Sequence, residues 1–155
     1  MQLRLIETTD LHLHLMPYDY YADRPQPGLG LVSAARLITE ARAEATNSLL
    51  FDNGDFLQGT PLGDVVARRH RGGVVLDHPA IAAMNALGYD AITLGNHEFN
   101  YGLDFLLAAL DVARFPVVSA NLLREPPRGN GHEATLVAPH VLLERQVIDG
   151  RGRAQ

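Results

Sequence analysis

Residues 89–102 read Tyr-Asp-Ala-Ile-Thr-Leu-Gly-Asn-His-Glu-Phe-Asn-Tyr-Gly, a short apolar run followed by a polar segment that begins at a glycine. The apolar run is bounded by turn residues, which is typical of a buried strand. Gly95 allows a sharp turn after it and would place Asn96 and His97 at the carboxyl edge of a sheet. Open α/β folds bind their ligands at that edge. This stretch therefore predicts both the class of fold and the position of a site.

Two upstream stretches have the same form. Residues 6–12 and 49–55 each run from a strand-like segment into polar side chains, ending in Asp10-Leu11-His12 and Asp52-Asn53-Gly54-Asp55. Because the carboxyl ends of parallel strands share one edge of a sheet, we expect these groups to meet Asn96 and His97 there. Asp, Asn and His are common ligands of divalent cations. The three strand ends predict a metal site for one or two ions.

The rest of the chain alternates between strand and helix patterns. Strands are predicted at 3–8, 48–52, 89–93, 115–120 and 141–148, and helices at 31–45, 60–69 (with Thr60 as the cap), 79–87 and 103–113. Proline and glycine predict loops at 16–30 and 124–131, and Asp149-Gly150 predicts a hairpin turn. Successive βα repeats favour parallel strands with right-handed crossovers, so the predicted fold class is α/β.

Composition excludes several kinds of chemistry. The 155 residues are enough for one domain or part of one, and the formal charge of −5 argues against a partner that is a nucleic-acid polymer. The chain has no Lys and no Cys, so Schiff bases, carboxylated lysine and thiolate ligands are unavailable in it. The beginning of the chain has no signal-peptide pattern, and no apolar run approaches membrane-spanning length, so we expect no membrane partner. The compartment is left open.

Asp10 and His12 lie two residues apart, which places both side chains on the same side of an extended chain. A carboxylate with an imidazole suits Zn, Mn or Fe better than Ca. The alternative is a helix-capping Asp beside a surface His. His14 continues the spacing, so that it is either a second chelating residue or a solvated loop residue.

Asp55 follows a strand and a glycine turn, where a carboxylate can bridge two cations, although Asp, Asn and Gly also favour ordinary turns. An Asn96 amide oxygen can complete a metal shell without adding charge. The adjacent His97 can act on a substrate oxygen as a general acid or stabilise its charge. We interpret Glu98 as an acid at a helix start and not as a ligand. The remaining histidines are predicted at the surface: His70, His78, His132 and His140.

Together, Asp-x-His at the first strand end, Gly-Asp-x-x-Gln at the second and Gly-Asn-His-Glu at the third resemble the calcineurin-like metallophosphoesterases. The order and separation of these motifs resemble the nucleotidase branch. Within it, residues 95–102 and Asp19-Tyr20-Tyr21 look most like the bifunctional 2′,3′-cyclic-nucleotide 2′-phosphodiesterase/3′-nucleotidases. The 5′-nucleotidases carry Asp at the position of Asn100, where it pairs with the catalytic His.

The resemblance implies the first half of a four-layer α/β/β/α sandwich. Residues 1–155 would be the N-terminal part of the catalytic domain, without the Gly-His-x-His motif and without the C-terminal substrate-specificity domain. It also implies two divalent metal ions (Mn, Zn, Co or Fe), a nucleotide substrate, and a periplasmic or cell-surface location for the parent protein. By the same resemblance, Asp10 and His12 would hold one metal, Asp55 would bridge both metals, and Asn96 would bind the second. His97 and Asn100 would be the catalytic residues. Asn96 and His97 would also contact the substrate.

Three alternatives remain from the sequence. The first is a 5′-nucleotidase of the same branch. The second is an amidohydrolase, because Asp10-x-His12-x-His14 resembles the His-x-His metal motif of that class. The third is a segment that binds metal without catalysis. We expect little activity from this segment alone, and association through an uncovered face of its sheet.

Overall fold

A computed structural model describes the chain except for residues 74–76, 128 and 130–132. The strands are β1 (Arg4–Thr8), β2 (Tyr18–Asp19), β3 (Arg24–Pro25), β4 (Ser48–Asp52), β5 (Ala91–Thr93) and β6 (Val117–Val118). The helices are α1 (Gly30–Ala43), α2 (Pro61–Arg71), α3 (Pro79–Leu87) and α4 (Leu103–Leu110), with a short 3-10 helix at His97–Phe99. Among the described residues, no helix has the length and apolar character needed to cross a lipid bilayer.

Four strands form one parallel sheet in the order β1-β4-β5-β6. Because strands are added in sequence and βαβ crossovers are right-handed, the connecting helices all fall on one face. The core confirms this arrangement, since Leu50 and Ile92 pack with residues of all four helices. These are Ile38 from α1, Val66 and Ala67 from α2, Ile81 and Met84 from α3, and Phe105, Leu106 and Ala109 from α4. The predicted α/β class is confirmed, and the chain supplies one sheet layer and one helix layer.

The opposite face of the sheet is only partly covered. Leu5 in β1 remains 64% exposed, and Phe51 in β4 is half-buried. Over β4, β5 and β6 an open apolar groove runs beside the segment that contains Val141 and Leu143. Side chains alternate between the faces of a strand, so the face without helices carries these apolar groups. An incompletely covered sheet is what the sequence predicts.

Two predicted elements have the predicted boundaries, the strand at 48–52 and the helix at 79–87. Gly88 ends α3 in the left-handed conformation, with φ of 66°. Other elements are shorter than predicted. Helix α4 ends at Leu110, β5 has three residues and β6 has two. The loop predicted at 16–30 contains the hairpin β2–β3. No strand forms at 141–147, although the Asp149-Gly150 turn does close through a bridge between Ile148 and Ala154. The predicted 124–131 loop falls partly outside the described residues.

Thr60 precedes α2, but its hydroxyl does not cap the helix as predicted. The hydroxyl instead donates to the carbonyl of Leu13 at 3.0 Å, and the side chain is buried. A buried hydroxyl needs a partner, and here the loop after β1 supplies it. Thr60 therefore joins α2 to the loop that carries His12.

The prediction that His78 lies at the surface is wrong. His78 is 2% exposed, its Nδ1 accepts from the backbone N–H of Ala80 at the start of α3, and its ring packs against Phe105. Its Nε2 has no hydrogen-bond partner within the described part of the chain. Burial lowers the pKa of His78 to about 4. Of the other three, His140 is exposed as predicted, His70 is half-buried against Phe105, and His132 lies outside the described residues.

The carboxylate of Glu98 ties the ends of β4 and β5 together. It is fully buried and accepts four backbone N–H groups: Oε1 from Phe56 (2.7 Å) and Leu57 (3.1 Å), and Oε2 from Asp55 (2.8 Å) and Gly95 (2.6 Å). Hydrogen bonds to an ionised acceptor are stronger than neutral ones. A single side chain thus fixes the relative position of two site loops.

We predict that Glu98→Gln destabilises the protein by roughly 3 kcal/mol or more, because the amide nitrogen would face two N–H donors whichever way the side chain turns. Urea unfolding without added metal measures the loss. Glu144→Gln, at an exposed position, is the matched control and should change the free energy of unfolding by less than about 0.5 kcal/mol. Equal stability of the two variants would contradict the cross-link.

We also predict that His78 makes folding stability fall with acidification. Its pKa is about 4 in the folded protein and has the ordinary value of 6.5 in the unfolded chain, so the unfolded chain binds the extra proton as the pH falls through that window. The full loss below pH 4 is about 3 kcal/mol. Asp52, whose pKa burial raises from 3.8 to about 6, acts in the opposite sense, since its contribution to stability is lost as the pH rises through its own window.

The comparison with His78→Asn isolates the histidine, because an Asn oxygen can still accept from the N–H of Ala80 but does not titrate. Thermal or urea unfolding is measured for both proteins from neutral pH to about pH 4. The difference in unfolding free energy should change with pH only in the histidine window. A constant difference would contradict the prediction.

Candidate metal centre

The loops that follow β1 and β4 run side by side and are joined by backbone hydrogen bonds. Asp10 donates to Gly54 at 3.0 Å, His12 to Asp55 at 2.8 Å, and Leu13 to Phe56 at 3.0 Å. Pairing that begins in the strands therefore continues into the loops. It brings the first two predicted motifs into contact.

The backbone of these loops is strained. Among the described non-glycine residues with positive φ, four lie here: Asp10 (54°), His12 (47°), Leu13 (51°) and Asp55 (62°). Each such residue costs on the order of 1–3 kcal/mol, and strain of this kind clusters at functional sites. The strain is an independent sign that these side chains are held in place for a purpose other than stability.

Gly95 makes the close approach of the β5 loop possible. A side chain there would collide with the carboxylate of Asp55. Gly59 has the same relation to His12, since a Cβ would lie 2.6 Å from the Cβ of the histidine. Both positions require glycine, because a larger residue would collide with a candidate ligand.

Asp10, His12 and Asp55 form a cluster whose ligand atoms all lie within 4.8 Å of one another. His12 Nδ1 is 2.7 Å from the carbonyl oxygen of Gln58, and a carbonyl only accepts, so Nδ1 carries the proton. The Nε2 of a neutral His12 then presents a lone pair, 3.6 Å from Asp10 Oδ1. Two acceptors facing each other repel unless a cation lies between them. This donor set fits a divalent transition metal.

Asp55 and the Gly95–His97 turn are also in direct contact. One carboxylate oxygen of Asp55, Oδ1, accepts from the backbone N–H of His97 at 2.9 Å. Asn96 is exposed at the start of the 3-10 helix, directly before His97. The structure thus brings the third motif to the cluster through the backbone N–H of His97.

His97 lies against His12, with ring centroids 5.1 Å apart and planes inclined at 75°. Its Nδ1 is 2.9 Å from the amide nitrogen of Asn100. The same amide nitrogen is 3.2 Å from Gln58 Oε1. An imidazole therefore stands beside the candidate metal ligands, held from behind by an amide.

Two nearby residues have structural partners. His14 Nε2 lies 2.8 Å from the carbonyl oxygen of Tyr18, and within the described residues it is not part of the metal cluster. This geometry does not support the chelate that the amidohydrolase alternative requires. Tyr101 donates to Asp64 on α2 at 2.8 Å and packs on Phe105, so it joins helices at the back of the site.

Three residues of the site were missed from sequence. Glu98 lies in the first turn of the 3-10 helix, as predicted, but its carboxylate is also a buried cross-link. Asp52 is 3% exposed and accepts from Thr8 Oγ1 at 2.5 Å and from the N–H of Gly54 at 2.9 Å. The Gln58 carbonyl contacts His12, and the Gln58 side chain contacts the Asn100 amide that lies beside His97. The sequence indicated Gln58 only through its place in the Gly-Asp-x-x-Gln motif. The Asp-Asn-Gly-Asp run is typical of a turn and did not indicate that Asp52 is buried.

Comparison with known proteins agrees with this geometry, although no protein-family model matches the chain. The 2′,3′-cyclic-nucleotide 2′-phosphodiesterase/3′-nucleotidase of Salmonella typhimurium is 46% identical over 156 residues, which is 100% of this chain and 23% of that protein. The protein of the same name from Haemophilus influenzae is 43% identical over 99% of this chain and 22% of its own length. The chain therefore spans less than a quarter of these two relatives.

A solved structure gives the same result. The calcineurin-like phosphoesterase YfkN from Bacillus subtilis superposes with a TM-score of 0.88 at 42% identity, covering 99% of this chain and 45% of that one. Agreement of fold and sequence along almost the whole chain confirms the resemblance drawn from the three motifs. The chain belongs to the calcineurin-like phosphoesterases, in the branch that contains the nucleotidases.

Proposed function

We propose that this chain forms the first part of the active site of a nucleotide phosphoesterase, acting on 2′,3′-cyclic nucleotides and 3′-nucleotides. The observation that carries the proposal is the cluster of Asp10, His12 and Asp55 with the His97 imidazole beside it. Side chains that bind metal ions, next to an imidazole, suit phosphoryl transfer. In that reaction positive charge stabilises the phosphoryl group, and a proton donor assists the leaving oxygen. The names of the relatives supply the nucleotide.

In this proposal Asp10, His12, Asp55 and Asn96 hold two divalent ions, with Asp55 shared between them. Bound cations would withdraw electron density from the phosphoryl group. Asn96 and His97 face the substrate from the turn after β5. His97 gives a proton or a hydrogen bond to the leaving oxygen, and Asn100 orients its ring through the 2.9 Å contact.

We expect the activity in the full-length gene product. Four ligand residues are fewer than two ions need, so we expect little turnover from residues 1–155 alone. These residues would be the N-terminal part of the catalytic domain. The partly covered face of the sheet supports the expectation of association through that face. A periplasmic or cell-surface location is proposed from the resemblance.

We predict that Asp55→Asn weakens binding of Mn or Zn to the 155-residue chain by at least about 10-fold. Asn keeps the size of the side chain and tolerates the left-handed backbone of residue 55, so the loss reports the charge. Isothermal titration calorimetry measures the affinity. Asp111→Ala removes an exposed carboxylate beyond α4 and should leave binding unchanged. Unchanged binding in Asp55→Asn would refute the bridging role.

We predict that the full-length gene product hydrolyses 3′-AMP and 2′,3′-cyclic AMP in preference to 5′-AMP. The reason is that this chain has Asn100 at the position where, by the resemblance, the 5′-nucleotidases carry Asp. Phosphate release with each substrate, in the presence of Mn, gives the ratios of kcat/KM. His97→Asn should lower turnover by roughly 10²–10⁴-fold while metal content is retained. A clear preference for 5′-AMP, or loss of metal in His97→Asn, would defeat these assignments.

A further inference from the structure

Gln58 is connected to both histidines of the site, to His12 directly and to His97 through Asn100. It lies between β4 and α2 and is half-buried. Its backbone carbonyl meets His12 Nδ1 at 2.7 Å, and its side-chain oxygen meets the Asn100 amide that touches His97.

The contact with His12 determines where the proton of that ring lies. A carbonyl oxygen has no hydrogen to donate, so His12 Nδ1 must be the N–H and Nε2 must be bare. Because the acceptor belongs to the backbone, it is present whatever side chain occupies position 58. His12 is therefore held in the form that can ligate a cation.

The connection to His97, which runs through Asn100, works in the opposite sense. The Asn100 amide nitrogen has two hydrogens and no free lone pair, and it lies within hydrogen-bond distance of Gln58 Oε1 and of His97 Nδ1. One hydrogen goes to Gln58, and the other goes to His97. Nδ1 therefore accepts, and the proton of a neutral His97 lies on Nε2.

We propose that Gln58 is a positioning residue that gives the two histidines opposite tautomers. Its carbonyl keeps His12 Nε2 bare for a metal ion, and its side chain, acting through Asn100, keeps the proton of His97 on Nε2. Two rings 5.1 Å apart with different tasks need this difference, and one residue supplies it. The meaning of the His97 tautomer for the leaving oxygen rests on the proposed function, whereas the tautomers themselves do not.

The chain offers variants with opposite expected effects. Gln58→Glu presents only acceptors, so the Asn100 nitrogen still turns toward it and His97 keeps its proton on Nε2. Gln58→Lys presents only donors, so the Asn100 amide must turn its oxygen to the place that its nitrogen occupies now. There the oxygen accepts both from residue 58 and from His97 Nδ1. The proton of His97 then moves to Nδ1. Asn100→Asp also leaves only an acceptor beside His97 and makes the same prediction without touching Gln58.

The test is ¹⁵N–¹H correlation of the imidazole nitrogens in the metal-free 155-residue protein at about pH 9, well above the usual histidine pKa. Protonated and bare ring nitrogens have widely separated ¹⁵N shifts, so each tautomer is observed directly. We expect His97 to be Nε2–H in the unsubstituted protein and in Gln58→Glu, and Nδ1–H in Gln58→Lys and Asn100→Asp. His12 should be Nδ1–H in all four, which makes it the internal control.

A His97 with its proton on Nδ1 in the unsubstituted protein would overturn the proposal. The same tautomer in all four proteins, or a His12 that changes together with His97, would also overturn it, because the effect would then not pass through the Gln58 side chain. If Gln58→Lys does not fold, Gln58→Arg also presents only donors at this position and carries the same expected result. The measurement uses neither metal nor substrate, so its failure leaves the proposed reaction standing, and failure of the hydrolysis assay leaves the tautomers standing.

Discussion

The buried carboxylate of Glu98 is the interaction on which the site depends. Its two oxygens accept N–H groups from the loop after β4 and from the turn after β5, which are otherwise separate connections. A charge without solvent is costly unless it is fully hydrogen-bonded, and here four donors provide the compensation. The carboxylate also fixes the turn whose N–H binds Asp55. The position of a candidate ligand is therefore determined by a residue that is not itself one of the candidate ligands.

The same arrangement explains why the strained backbone of the site persists. Asp10, His12 and Asp55 adopt positive φ values that their side chains disfavour. Backbone hydrogen bonds between the two loops and the four bonds to Glu98 outweigh that strain. The close approach also requires glycine at Gly95, which has no space for a side chain. Donor atoms are thereby held near one another before any cation binds, so less free energy is spent on ordering them.

The sequence predicts the parts of this molecule that follow from periodicity and residue type. The strand at 48–52, the helix at 79–87 and the meeting of Asp10, His12 and Asp55 were all predictable, because parallel strands deliver their carboxyl ends to one edge. The burial of Glu98 and His78 was not, since a helix-start position looks the same whether a loop covers it or solvent does. The hairpin at 18–25 was hidden because its strands have only two residues each.

The geometry of the cluster follows from the order of the strands. Neighbouring strands of a sheet lie about 4.8 Å apart, and β1, β4 and β5 are neighbours in that order. Side chains that leave adjacent strand ends therefore start at a separation that a shared cation can span, and the ligand atoms of Asp10, His12 and Asp55 lie within 4.8 Å of one another. A different order would have placed another strand between these motifs. Sequential addition of strands thus has two linked consequences: it gathers the ligands at one edge, and it sends every helix to one face and leaves the other available for further packing.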